Sequence, residues 1–482
     1  MNAKNAPRLV LAGLGLAWAG ATCAGQSLEQ IRYALYKDPS ANVTADLREL
    51  AARGDLASKQ LLGDVLATQE GASRQEIIRL YRDAFADGKG QIPALASLAR
   101  LLDRTPRLQR SQEGWVREAL TRYPNDRDPR STSTSLEVFL VYPQLFPGQR
   151  AAELLALYEQ SCLLNCRPEL YRAVVAERQG RRDEAEHWYR QAARIDPRGI
   201  ERYYRFLGER QDPAFLAFAR SLEPEMASLP VEVVQRIGAL IDSIHGITRA
   251  ELDAEREQRQ GIAMGPKVEP TPEQQARDQA NAKLRADGIA EYQRWLDHAV
   301  ARGYLPALVS KANFMISNPT EHNAEQAQVL IEQVRTKDPT RAKALDAAFY
   351  MVNNWLTLDP EKSQALIDEL IAAHYPDAQL LLGDLYSKGG LDQPDQERAL
   401  AVWQAQAEQG SIAAWYRMAT VYLRGRAICH DPVKAYTYAR IALDLGDTRA
   451  RGLLKRLDKT LPKDDIERAL AARGDLLKEA TL

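Results

Sequence analysis

Ala378-Gln-Leu-Leu-Leu-Gly383-Asp-Leu-Tyr386, followed by Gly389, Ala399, Trp403, Ala407 and Gly410, is answered 36 residues later by Ala414-Trp-Tyr-Arg-Met418-Ala419-Thr-Val-Tyr422, followed by Gly425, Ala435, Ala439, Leu443 and Gly446. A fixed period of this size means stacked supersecondary units, each too small to bury its apolar face alone. Within a unit the apolar residues fall three or four apart, which sets them on one face of a helix. Small residues such as Ala378, Gly383, Ala399 and Ala407 mark where two helices must approach closely. Leu382, Tyr386 and Trp403 fill the space between them. Gly389 and Gly425 follow the first helix of each pair, and Gly410 and Gly446 follow the second, where a left-handed C-cap suits glycine. The expected fold is all-α, an α-solenoid of helix-turn-helix units.

The Ala-x-x-x-Leu-Gly-x-x-Tyr-x-x-Gly opening and the Ala-x-x-x-Trp-x-x-x-Ala-x-x-Gly close resemble the Sel1-like branch of the tetratricopeptide family. That resemblance implies stacked TPR/Sel1-like repeats and is almost silent on function, because such solenoids bind many things.

The 482 residues carry 64 basic and 65 acidic side chains, a net charge of −1. Such a balance gives no electrostatic reason to expect nucleic acid. The first 25 residues order themselves as a targeting segment: Lys4 and Arg8, an apolar run from Leu9 to Gly20, then Ala21, Ala24 and Gly25. The run is too short to span a bilayer comfortably, so it reads as a secretory signal cleaved within 21–25. Cys23 offers the alternative of a lipoprotein signal, in which that cysteine receives lipid. Export would bring the remaining cysteines into an oxidising compartment. Cys162 and Cys166 then close a short turn as a local disulfide or stand as two free thiols.

Further units precede the clear pair. Gln60-Leu-Leu-Gly63-Asp64-Val-Leu66 echoes Leu380-Leu-Leu-Gly383-Asp384-Leu-Tyr386. Ala185, Tyr189, Ala192 and Pro197 occupy the small, aromatic, small and proline positions of an ordinary tetratricopeptide helix. Between Tyr123 and Gly148 the pattern breaks: four prolines and Ser131-Thr-Ser-Thr-Ser135 predict loop around a short helix from Leu136 to Tyr142. Residues 251–286, charged and interrupted by Gly261, Gly265, Pro266, Pro270 and Pro272, read as an exposed linker. The expected organisation is therefore a signal (1–25), an N-terminal solenoid (26–250), the linker (251–286), and a C-terminal Sel1-like solenoid (287–482) whose segment from Leu453 onward caps the stack.

Six histidines are scattered without metal-ligand spacing, and neither a nucleophile elbow nor a phosphate-binding loop occurs. The expectation is no catalytic residue, no metal and no cofactor; an α-helical enzyme acting on polysaccharide is the distant alternative. Aromatic and arginine residues gather at the C-terminal end, in the combination that anchors protein interfaces. Tyr416, Arg417, Arg424, Arg426, Tyr436 and Tyr438 are the candidate partner-binding residues; Tyr436 and Tyr438, two apart on one helix, point in different directions, so at least one is expected to face a groove or solvent.

A second resemblance covers more of the chain. Leu140-Val-Tyr142-Pro143-Gln144-x-Phe146-Pro147, the Tyr158-Glu-Gln160-Ser-Cys162 segment with its second cysteine, and the ending from Val433-Lys-Ala-Tyr436 through Leu461-Pro462 are similar to the AlgK-like scaffolds of bacterial alginate export. The resemblance implies a non-enzymatic periplasmic protein at the outer membrane of a Gram-negative bacterium. Its partners would be a β-barrel exporter and periplasmic polysaccharide-modifying proteins, with membrane contact only through a lipid anchor or a partner. The rival reading is a generic Sel1-like adaptor in envelope stress or peptidoglycan remodelling.

Overall fold

A computed structural model describes residues 26–37, 41, 43–69, 72–103, 105–123, 128–161, 166–208, 211–261, 271–388, 395–424 and 430–479. Among these there are 24 α-helices and no strand. The N-terminal half comprises α1 (Leu28–Lys37), α2 (Thr44–Ala52), α3 (Leu56–Ala67), α4 (Arg74–Phe85), α5 (Pro93–Leu102), α6 (Pro106–Thr121), α7 (Pro129–Val141), α8 (Arg150–Ser161), α9 (Glu169–Arg178), α10 (Arg182–Ile195), α11 (Pro197–Phe206) and α12 (Gln211–Leu222). Two long helices follow, α13 (Val231–Gly261) and α14 (Pro272–Ala301). The C-terminal half comprises α15 (Leu305–Ser317), α16 (Ala324–Arg335), α17 (Pro339–Phe349), α18 (Pro360–Ala372), α19 (Ala378–Lys388), α20 (Gln396–Glu408), α21 (Ile412–Arg424), α22 (Pro432–Asp444), α23 (Ala450–Thr460) and α24 (Lys463–Glu479). Successive helices pack mainly on their neighbours, as the solenoid expectation requires.

The 36-residue period is a period of contacts. Asp359, Asp395 and Asp431 are N-caps whose carboxylates accept the amides of Lys362, Arg398 and Lys434. Their own amides donate to the carbonyls of Tyr350, Tyr386 and Tyr422 at 2.9, 2.8 and 3.1 Å. The same three cations lie over the same three tyrosine rings, at 4.1, 4.1 and 5.0 Å from the centroids. The period thus reaches one unit further toward the N-terminus than the glycine pattern reveals. The reason is visible at the turn: His374 holds the position of Gly410 and Gly446. All three have left-handed backbone, with φ of 55°, 95° and 106°. All three turns close with the same bond, from Tyr375, Ser411 and Asp447 to the carbonyls of Leu370, Gln406 and Ala442. Gly389 and Gly425 lie outside the described residues.

Size complementarity explains the Gly–Trp pairing. A Cβ on Gly383 would meet the Trp403 indole at 2.2 Å, and one on Gly63 would meet the Tyr81 ring at 2.6 Å. In the next unit both partners are alanine, Ala419 and Ala439, and both are fully buried. The close approach is kept while its volume is split differently.

Two expectations are corrected. Ser131 to Ser135 is the buried first half of α7, not loop. Pro129 takes the first helical position, where its missing amide costs nothing. The hydroxyls find partners: Thr132 donates to the Asp128 carbonyl, Ser133 to that of Arg130, and Ser135 lies 3.1 Å from the Tyr123 hydroxyl. Nor is 251–286 a linker loop. α13 enters it and α14 begins inside it; residues 262–270 lie outside the described residues. The two helices run antiparallel, crossing closely where Gly238 meets Trp295 and Gly288 meets His245. The first half of α14 is exposed, which accounts for its composition. No core boundary falls there, because one apolar cluster runs unbroken from Ile31 to Ala307.

The C-terminal helices pack on more than the last repeat. α23 lies along α13, and α24 packs on α22, where Thr437 donates to the Ala469 carbonyl. The array therefore curls, bringing its last repeats back to the N-terminal half. The second-helix turns of the C-terminal repeats face that half in register: a Cβ on Gly410 would sit 3.2 Å from Ser73 Oγ. His374 shares a cavity with Thr68 and Gln69, and Gly446 shares one with Tyr81 and Glu137.

Candidate functional site

Among the described residues, the C-terminal candidates do not form one surface. Tyr436 is buried at 5% exposure, on the helix that packs against α23. Burial and the neighbouring Asp458 carboxylate push its phenol up from the ordinary value. Tyr438 is half-buried, its ring 5.7 Å from both Trp415 and Tyr422. The prediction that one of the two faces a groove or solvent is thus met only by a half-buried ring held in an aromatic stack. Arg417 is occupied internally: its guanidinium grips Asp384 through Nε at 2.9 Å and Nη2 at 3.1 Å, tying α21 to α19. Tyr416 is half-buried beneath Arg449, 4.9 Å from its ring centroid. Arg424 is exposed at the end of α21, and Arg426 lies outside the described residues. So does Cys23. Cys166 is disulfide-bonded; its expected partner, Cys162, lies outside the described residues.

The chemistry that the curled array does bring together lies between its halves. Glu137, 7% exposed, projects from α7 in the otherwise apolar and hydroxylated run Ser135-Leu-Glu137-Val-Phe. Both its oxygens take Arg198 Nη1, at 2.8 and 2.6 Å. Arg100 Nε approaches at 3.2 Å and the Tyr171 hydroxyl donates at 2.7 Å. Arg198 also grips Asp196, the N-cap of α11, at 2.8 Å. Burial pushes the Glu137 carboxyl up, but Arg198 and Arg100 outweigh it and hold the group below its ordinary value. The result is an ionic knot around a buried carboxylate, joining α5, α7, α9 and α11. Arg198 is the member it needs most, since removing it leaves the buried Glu137 charge poorly compensated.

This knot floors a cavity of about 620 Å³ between the N-terminal half and the turn Leu445–Arg449. A second cavity of about 620 Å³ lies on the other side of that turn. Gly446 and Thr448 line both. The sequence reading missed this region because its residues come from segments far apart in the chain. The one legible signal was Glu137, a lone carboxylate in a run too apolar for a solvated face. Among the described residues no cluster of histidine, cysteine and carboxylates has the geometry to hold a metal ion. No helix among them is long and apolar enough to cross a membrane.

No family model matches the chain. It is 25% identical over 188 residues to the alginate biosynthesis protein AlgK of Pseudomonas syringae, a match spanning 38% of this chain and 39% of that protein. It is 32% identical over 93 residues to Protein SHC1 of Saccharomyces cerevisiae, spanning 19% of this chain and 17% of that one. Each match therefore spans well under two thirds of the relative. Among solved structures, a Sel1 repeat protein from Oxalobacter formigenes aligns over 88% of this chain and 93% of its own, at 19% identity and a TM-score of 0.24.

Proposed function

We propose that the protein is a non-enzymatic repeat scaffold of polysaccharide export at the bacterial envelope. The observation that carries this reading is the similarity to AlgK over 188 residues, in a chain built as a solenoid. Helical arrays offer long surfaces of fixed curvature, suited to holding several proteins at set distances. In this reading the signal directs the chain to the periplasm, where it positions an outer-membrane β-barrel exporter and polysaccharide-modifying proteins. Cys23 is the point of lipid attachment or is removed with the signal. The docking residues proposed at the C-terminal end reduce to Tyr416, Arg424 and Arg426. Arg417, Tyr436 and Tyr438 serve the fold.

Deletion of the gene in its own bacterium, with complementation, tests the reading. The expected outcome is loss of secreted acidic polysaccharide, and co-purification of the wild-type chain with an outer-membrane β-barrel. An Arg424→Glu/Arg426→Glu chain that folds normally is expected to lose the barrel. Unchanged secretion on deletion would refute the export reading.

A further inference from the structure

The second cavity between the halves is unlike the rest of the surface in charge. Six guanidinium groups line it, those of Arg107, Arg110, Arg205, Arg236, Arg451 and Arg473, against three carboxylates, Asp103, Glu201 and Asp444. The chain as a whole carries −1, so this is a local surplus of cations in a concave, partly desolvated space. The carboxylates are already engaged. Asp103 takes Arg202 at 2.6 Å and Arg205 at 3.4 Å, Glu201 takes Arg236, and Asp444 takes Arg473 at 3.2 Å. Arg110 and Arg451 make no ion pair among the described residues. Burial, together with Arg473 and Arg110 nearby, pushes the Arg107 guanidinium down, the signature of cations crowded together.

The remaining wall adds polar and apolar contacts. Tyr204 offers a ring, Ser243 and Thr448 offer hydroxyls, and Leu240 and Leu443 offer short apolar surface. About 620 Å³ falls in the range of small-ligand sites, roughly 300–1,000 Å³. The cations come from both halves: Arg107 and Arg110 from α6, Arg205 from α11, Arg236 from α13, Arg451 from α23 and Arg473 from α24.

We infer that this cavity binds a multivalent oxyanion, one carrying at least two carboxylate or phosphate groups, which bridges the C-terminal repeats to the N-terminal half. Planar guanidinium forks match both kinds of oxyanion. Because the site exists only when the array is curled, the anion stabilises the curled form by mass action. The inference stands on the cavity and goes beyond the export reading.

Calorimetric titration of the purified, full mature chain tests it, with trigalacturonate, inorganic pyrophosphate and neutral maltotriose as probes. One of the two anions is expected to bind at one site, more weakly as salt is raised, and to raise the melting temperature. Trigalacturonate binding identifies a carboxylate chain as the ligand class, pyrophosphate binding a phosphate. An Arg110→Ser/Arg451→Ser chain keeps every ion pair described above; checked for native helicity, it is expected to bind about tenfold more weakly or worse. Binding of neither anion, equal binding of maltotriose, or unchanged binding by the double variant would overturn the inference.

Discussion

Replacing Gly383 by alanine tests the size complementarity that makes these repeats stack. In an exposed helix interior the change gains about 1 kcal/mol, because glycine is the poorer helix former. Here the new Cβ would lie 2.2 Å from Trp403 Nε1 and 2.7 Å from two ring carbons. The indole is 2% exposed and its Nε1 donates to the Leu380 carbonyl at 3.3 Å, so it has nowhere to retreat. Overpacking of a filled core costs about 1–3 kcal/mol, and a clash this close belongs at the upper end. The net expectation is a loss of about 1–2 kcal/mol. Trp403→Ala alone costs about 3–5 kcal/mol by opening a cavity. On that background Gly383→Ala recreates the Ala419/Ala439 pair of the following unit and gains about 1 kcal/mol. The sign of one substitution therefore reverses with its neighbour, a coupling of about 2–3 kcal/mol. Urea unfolding followed by circular dichroism measures the total. Hydrogen exchange over α19 and α20 localises it, which matters because repeat arrays open locally. If Gly383→Ala alone stabilises the chain, the close helix approach is not what selects glycine there.

His374→Gly is expected to stabilise the chain by about 1 kcal/mol, since the residue is exposed and left-handed where the next two units carry glycine; a shifted unfolding midpoint with unchanged slope reads it. Arg417→Glu places a carboxylate against Asp384 and is expected to cost about 1–3 kcal/mol, whereas exposed Arg424→Glu changes stability by less than about 0.5 kcal/mol; equal melting temperatures would refute the internal role of Arg417. The depressed Glu137 carboxyl contributes stability that is fully present above its ordinary value of 4.5 and is lost as pH falls through its lower folded value. The melting temperature is accordingly expected to drop below about pH 4.5, and Glu137→Gln to flatten that part of the profile while lowering stability at neutral pH.

What the chain declares about itself in one dimension is what depends on near neighbours. The helix pairs, their 36-residue spacing, the Gly410 and Gly446 turns, the Gly383–Trp403 approach and the Gly63 echo all follow from residues within one or two units of each other. Composition misled where local chemistry was re-partnered. Ser131 to Ser135 reads as loop until its hydroxyls are seen bonded along α7. The charge of 272–287 reads as linker until it is seen on a projecting helix. His374 hid a third unit because a left-handed turn does not strictly demand glycine. Only the tertiary structure decided that Arg417, Tyr436 and Tyr438 serve the fold, and that Glu137 meets Arg198. It alone joined α23 to α13 and gathered the arginines of α6, α11, α13, α23 and α24 around one cavity. The curl that does this is the sum of small rotations between successive units. No single residue encodes such a sum, so partners far apart in sequence meet at places that the repeat period alone does not specify.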